Sequence, residues 1–196
     1  MLTKTQEKIL GFLLANPEEK VTIRGIAKRL NKSYTLVYNN LTKLEKKEII
    51  KKESVPPTQI VTLNEFAPKD IFIEIELKRK KEFLEGYKWI KVMLNDILKS
   101  TKTFFILVVF GSYAKGKQTK DSDIDLLVIL QSKEEIKDME KIINNVYTKV
   151  KKGINFIDVN DFIEMIKNSN ELNIGNEAKK HHIILHGAEQ YYQLLK

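Results

Sequence analysis

The sequence predicts an α+β protein: three helices and a hairpin in the first third, then a mixed sheet layered with helices. Three observations carry that prediction. Apolar residues recur at helical spacing in three short segments before residue 50. Two β-prone runs, Ile49-Ile50 and Gln59 to Leu63, flank a polar tip, KKESVPPT, as in a hairpin. From Thr103 onward, continuous apolar runs alternate with helical patterns, which argues for a sheet covered by helices.

In chain order, Thr3 or Thr5 caps a first helix bearing Ile9, Leu10, Phe12, Leu13 and Leu14, and Asn16-Pro17 ends it. Thr22 opens a short second helix with Ile23, Ile26, Ala27 and Leu30 on one face, broken at Asn31-Lys32. Ser33 caps a third, whose stripe is Leu36, Val37, Leu41, Leu44 and Ile49. Phe83, Leu84, Tyr87, Ile90, Leu94, Ile97 and Leu98 then form one long helical stripe. The expected layout is a first domain over 1–66, a connecting helix over 67–100 and a second domain over 101–196. FFILVVF, DLLVIL and Ile154 to Val159 read as strands, Glu134 to Val150 as a helix, and Asn160 as the cap of another. HHIILHG reads as a short strand or turn before a last helix, AEQYYQLLK.

Composition narrows the function classes. The chain has 196 residues and no cysteine, which excludes disulfide frameworks, cysteine zinc sites and thiol nucleophiles. The longest apolar run is seven residues, Phe104 to Phe110, far short of the roughly 18 that span a bilayer. The N-terminus, MLTKTQEK, has no apolar signal core, so a cytoplasmic protein without membrane association is expected. A formal charge of +8 favours polyanionic partners. Residues 1–66 hold 12 Lys plus Arg against 7 acids, and nine of the 12 lie between Arg24 and Lys52. That concentration is an electrostatic footprint for nucleic acid.

Two helices joined around Asn31 form a helix–turn–helix pattern. Once its stripe is buried, the second of these helices exposes Ser33, Tyr34, Thr35, Tyr38, Asn39, Asn40 and Lys43 toward base edges and phosphates of duplex DNA. Lys51 and Lys52, at the base of the hairpin, would reach phosphates or the minor groove. The pattern VTIRGIAKRLNKSYTLVYNNLTKLEKKEIIKKE followed by a hairpin resembles a winged-helix domain of bacterial and archaeal regulators. That resemblance implies DNA binding, with a protein-binding or dimerisation module as its other use. A dimer is expected, its interface on residues 78–100 around Trp89.

The most specific signal is VVFGSYAKGKQTKDSDIDLLVIL. A strand ends in Gly111-Ser112, a loop carries Gly116 and Ser122, and a second strand opens with Asp123-Ile124-Asp125. Side chains two apart share a strand face, so the two carboxylates lie side by side and repel unless a cation neutralises them. Magnesium suits such a pair, because it takes oxygen ligands and shares them with substrate phosphates. The Gly-Ser turn offers N–H groups and a hydroxyl to phosphate oxygens, and Gly116 allows close backbone approach. This region resembles the polymerase-beta-type nucleotidyltransferase superfamily, in particular its minimal members.

The resemblance implies a nucleoside triphosphate, ATP first, bound through Mg2+ at Asp123 and Asp125. Gly111, Ser112, Gly116 and Ser122 would hold the nucleotide, and nucleotidyl transfer would go to an acceptor, possible classes including a protein. A third carboxylate is expected on the next core strand, where Asp158 is the candidate, while Asp161 reads as a first-turn helix residue. Two other outcomes stay open: a regulator whose second domain senses nucleotide without catalysis, and an antitoxin that modifies a toxin of the HEPN type. Lys115, Lys117 and Lys120 flank the loop as solvated lysines or triphosphate contacts. His182 and His186 are four apart, but the strand-like IIL between them argues against a helical metal pair.

Overall fold

A computed structural model describes residues 1–195. The chain divides into two compact units, one over Met1–Ile75 and the other from Glu76 on. No helix among the described residues is long and apolar enough to cross a membrane.

The first unit begins with α1 (Lys4–Ala15), capped by Thr3. The Thr3 hydroxyl accepts from the Gln6 backbone N–H at 3.2 Å, and Gln6 Oε1 accepts from the Thr3 N–H at 2.9 Å, a reciprocal capping box. Then come β1 (Val21–Thr22), α2 (Ile23–Arg29), α3 (Tyr34–Lys46), β2 (Ile50–Val55) and β3 (Thr58–Leu63). Thr22 caps α2 and Ser33 caps α3 through their hydroxyls. The strands pair antiparallel in the order β1-β3-β2, with Val61 facing both Val21 and Lys52. Ile9, Leu10, Ile26, Val37, Leu41, Leu44 and Val61 are buried together in this unit.

Two α3 residues depart from expectation. Val37, Leu41 and Leu44 set the phase of the buried stripe, which leaves Leu36 at its margin and 41% exposed. Asn40, expected on the outer face, falls inside that phase and is buried. Its amide donates to the Leu36 carbonyl at 2.8 Å and its Oδ1 accepts from the Thr3 hydroxyl at 3.2 Å.

The expected single connecting helix is two: α4 (Lys69–Gly86) and α5 (Lys88–Ser100), broken at Tyr87. Gly86 is a poor helix former, and the Tyr87 ring instead packs on Phe83 and Tyr113, at 4.7 and 5.5 Å between centroids. Ile90, Met93, Leu94 and Ile97 of α5 are consumed by the core of their own unit. Trp89 packs on Tyr113 and Tyr147. The α5 stripe is therefore not a free dimer face.

The rest of this unit runs β4 (Phe105–Phe110), α6 (Gly111–Ala114), β5 (Ile124–Leu130), α7 (Ile136–Asn145), β6 (Lys152–Asp158), α8 (Val159–Lys167), α9 (Ile174–Lys180), β7 (Ile183–His186) and α10 (Ala188–Leu194). The sheet order is β6-β5-β4-β7. β4 is antiparallel to both neighbours, and β5 and β6 are parallel, with α7 in their crossover. Every residue of β4 is buried, which is why its sequence is a continuous apolar run. The α8 cap is Asp158 rather than Asn160.

A buried polar cluster ties α4 to His182, just before β7, and to Tyr192 of α10. Arg79 donates to Glu76 Oε1 and, at 2.7 Å, to the His182 carbonyl; Tyr192 donates to Glu76 Oε1 at 3.3 Å. Burial alone would push the Glu76 carboxyl up, but the Arg79 guanidinium and His182 outweigh it and hold it below its ordinary 4.5. A depressed folded pKa contributes stability above the unfolded value, and that contribution is lost as pH falls through the folded one. Replacing Arg79 by Met strands a buried carboxylate. Urea titrations at neutral pH should show a loss of about 3–5 kcal/mol that shrinks in acid, as Glu76 protonates in both proteins.

Candidate functional site

Phe110, Asp125 and Gly153 lie abreast on β4, β5 and β6. The chain leaves β4 through Gly111 at φ +65°, a conformation other residues rarely take. A Cβ on Gly111 would sit 2.0 Å from Asp125 Oδ2, and a Cβ on Gly153 would sit 3.0 Å from Oδ1. The Asp125 carboxylate is thus seated over two positions that have no side chain. The Ser112 backbone N–H donates to it from the first turn of α6. Asp123, one residue before β5, is exposed beside it.

Burial pushes the Asp125 carboxyl above its ordinary value, and the charges of Glu177 and then Asp123 push the same way. The Ser112 N–H and the Lys115 ammonium oppose them without prevailing. Lys115 also pairs with Glu177 on α9 at 3.3 Å. This is a carboxylate site short of positive charge. Among the described residues no three His, Asp or Glu side chains converge as a complete metal cage. A two-carboxylate site suits magnesium, which fills its remaining positions with water and substrate phosphates.

Asp158 is not part of this site. It pairs with Leu130 at the far end of β5, five residues along β6 from Gly153, or roughly 16 Å at the strand rise. Its side chain is spent as the cap of α8, accepting from the Asp161 N–H at 2.8 Å, with Lys133 at 3.7 Å. The β6 residues that share the Asp125 face are Gly153, Asn155 and Ile157, so that face of β6 carries no carboxylate. The acid that reaches Asp125 beyond Asp123 is Glu177, from α9. Neither α9 nor Glu177 stands out in the sequence, because only the tertiary path of residues 168–180 brings it near.

In the first unit, Ser33, Tyr34, Thr35, Tyr38, Asn39 and Lys43 lie exposed along the start and outer face of α3. Tyr34 and Tyr38 stack at 6.1 Å. Lys51 is exposed and pairs with Glu65 at 3.5 Å. Lys52, expected at phosphates, is turned inward: its side chain is 7% exposed, bonded to Glu45 at 2.8 Å and to the Thr42 hydroxyl, over the Tyr38 ring. Alternation along β2 puts the two lysines on opposite faces, and the inner one meets α3.

Residues 93–187 match the family model described as Polymerase beta, Nucleotidyltransferase, and residues 2–51 that described as Winged helix-turn-helix DNA-binding. These two matched segments lie in the second and the first compact unit, respectively. A stretch of 62 residues is 37% identical to a Methanocaldococcus jannaschii protein, MJ0141, whose name proposes that it is a protein adenylyltransferase. The match covers 32% of this chain and 61% of that relative. Among solved structures, MepR, a transcription regulator of the Staphylococcus aureus multidrug efflux pump MepA, is 23% identical, with a TM-score of 0.36. That likeness covers 50% of this chain and 79% of MepR. A MepR–DNA complex from S. aureus is 24% identical at a TM-score of 0.35, over 50% of this chain and 80% of that one.

In the second unit, the loop between the Gly-Ser turn and the acidic pair is internally braced. Ser122 Oγ accepts from the Thr119 N–H at 2.8 Å. Gly116 has φ +64°, a turn conformation that other residues rarely take, with open space around it. The seat of Asp125 is testable by a double-mutant cycle. Gly111→Ala should cost about 1–2 kcal/mol from backbone strain, and should in addition displace the carboxylate. Its effect should therefore couple to Asp125→Ala by about 0.5–3 kcal/mol in chemical denaturation. Additive effects would mean that the carboxylate does not occupy this seat.

Proposed function

We propose that the nucleotidyltransferase domain binds a magnesium-complexed nucleoside triphosphate at Asp123 and Asp125 and transfers its nucleoside monophosphate to an acceptor hydroxyl. The bond from the α-phosphorus to the departing pyrophosphate breaks, and a new bond to the acceptor oxygen forms. The seat of Asp125 over Gly111 and Gly153, beside Asp123, carries this reading. It fixes one carboxylate, deprives it of adequate cationic partners, and leaves the second free to share a ligand. Magnesium, when bound there, supplies the missing positive charge and stabilises the charge that builds on the phosphoryl oxygens. The Ser112 N–H orients Asp125, and its hydroxyl is free to meet a phosphate oxygen. ATP as donor and a protein as acceptor are supported by the name of the M. jannaschii relative, of which this chain spans 61%.

The winged helix supplies duplex DNA binding through α3. Its N-terminal residues Tyr34, Thr35, Tyr38 and Asn39 face base edges, and Ser33, Lys43 and Lys51 face phosphates. A second reading, a nucleotide sensor that does not transfer, is favoured by one observation: the Asp125 face of β6 ends in Gly153 and Asn155 and offers no third carboxylate.

Incubation with α-labelled ATP, magnesium and cell extract separates the two readings. A labelled acceptor marks the enzyme; bound but untransferred triphosphate marks the sensor. Asp123→Asn and Asp125→Asn should each abolish magnesium-dependent triphosphate binding. Ser112→Ala should be milder, at about 1.5–3 kcal/mol, one hydrogen bond to a charged group. Binding that persists without magnesium and in both Asn variants would make the pair structural.

On DNA, Lys43→Ala should weaken all sequences alike and lower the salt slope by about one, while Asn39→Ala should relax sequence preference. Lys52→Ala should leave the salt slope unchanged in filter-binding titrations, because its ammonium is already neutralised by Glu45.

A further inference from the structure

Beside Asp123 lies a cavity of about 270 Å3 whose walls are Trp89 of α5, Tyr113 of α6, and three lysines, Lys120, Lys149 and Lys151. Asp121 also borders it, so three ammonium groups face two carboxylates. Trp89 is held in place from two sides. Tyr147 stacks against it at 5.3 Å and an interplanar angle of 24°, and Tyr113 meets it edge-on at 6.1 Å and 81°. Tyr147 reaches that position with φ +48°, unusual for a bulky residue and the kind of backbone strain found at ligand clamps. The indole is half-buried, not closed off. The result is a fixed aromatic wall with cations around it.

We infer that this cavity is the nucleobase subsite of the nucleotidyltransferase domain, with the base stacked on Trp89. The inference rests on the triphosphate reading of the Asp123–Asp125 pair and adds where the rest of the nucleotide goes. Three features point to a base rather than to another group. Pockets that enclose a whole drug-sized ligand run from about 300 to 1,000 Å3, so this cavity takes a ring and leaves the phosphates outside. A preformed aromatic face attracts a π-system of any sequence, while the lysines at the rim attract the anionic part of the same molecule. Connectivity joins the two subsites. Tyr113 follows Ser112 in the motif loop, and Asp123 belongs both to the cavity wall and to the acidic pair. A nucleotide with its base here has its phosphates at the carboxylates.

Trp89 is the sole tryptophan of the chain, so tryptophan fluorescence, excited beyond the tyrosine absorption band, reports on this wall alone. With the full-length protein in magnesium, ATP should quench the emission saturably after inner-filter correction. Inorganic tripolyphosphate should compete with ATP yet leave the emission of the free protein unchanged. By calorimetry, Trp89→Ala should weaken ATP by roughly 5- to 150-fold, the range for loss of one base–aromatic stack, and leave tripolyphosphate within about two-fold. Trp89→Phe keeps a stacking face and should recover most of the ATP affinity, which separates a lost stack from a damaged fold.

ATP that binds without quenching and is indifferent to Trp89→Ala would overturn the base subsite while the triphosphate reading stands. Equal weakening of ATP and tripolyphosphate in Trp89→Ala, unrelieved in Trp89→Phe, would overturn it too. Failure of both ligands to bind the wild-type protein would overturn the triphosphate reading and the base subsite together.

Discussion

The placement of the Asp125 carboxylate is the constraint on which the chemistry proposed for the second unit depends. That carboxylate occupies space which a Cβ on Gly111 or Gly153 would claim, and the two glycines belong to different parts of the chain. They meet only if β4, β5 and β6 keep the register Phe110–Asp125–Gly153. A slip of one residue would turn Asp125 to the opposite face. What prevents the slip is the continuous burial of β4 and β5, whose apolar runs are committed on both faces. The core of the sheet therefore does more than stabilise: it sets the position of one carboxylate to within a fraction of a residue spacing.

Electrostatics then leaves the seat in deficit rather than balanced. A buried carboxylate is tolerated when hydrogen bonds and cations satisfy it. Asp125 receives one backbone N–H and part of the field of Lys115, while Glu177 and Asp123 act against it. Elsewhere in the same unit the opposite arrangement appears. Glu76 is more deeply buried, yet Arg79 and His182 outweigh the cost and keep it ionised. One acid is held ionised by its cationic neighbours through Oε1; the other is left in deficit at the surface, where a cation from solution can correct it.

The sequence was most legible where one local rule decides. The caps at Thr3, Thr22 and Ser33, the hairpin, the both-sides-buried strands and the adjacency of Asp123 and Asp125 all follow from spacing and residue type. Asp158 shows where that reasoning stops. Period two correctly groups it with Ile154 and Phe156, but parity within β6 does not say which face Asp125 shares. The parallel register answers that Asp125 goes with Gly153 and Asn155, and it places Asp158 at the other end of the strand. Glu177 was invisible for the complementary reason: no periodic pattern points from residues 168–180 to a sheet some 50 residues earlier. Asn40 and Lys52 read as surface residues in the sequence because a polar type says nothing of a buried partner such as Thr3 or Glu45.

Those internal partners also change what the net charge means. Of the nine basic residues between Arg24 and Lys52, Arg29 is paired with Glu19 and Lys52 with Glu45. In the second unit, Lys133 serves Asp158 and Asp161, and Lys152 donates to the carbonyls of Ile143 and Val146, where it neutralises the C-terminal dipole of α7. Charges spent this way add little to the field that a polyanion meets. Arg24, Lys28, Lys32, Lys43, Lys46 and Lys47 make no ion pair among the described residues. They cluster on α2, on α3 and at the ends of those helices. The formal +8 thus overstates the attraction of the chain as a whole and understates its concentration, since six of the first unit's basic residues without an ion pair lie on α2, on α3 or at their ends, beside the helix proposed to read DNA.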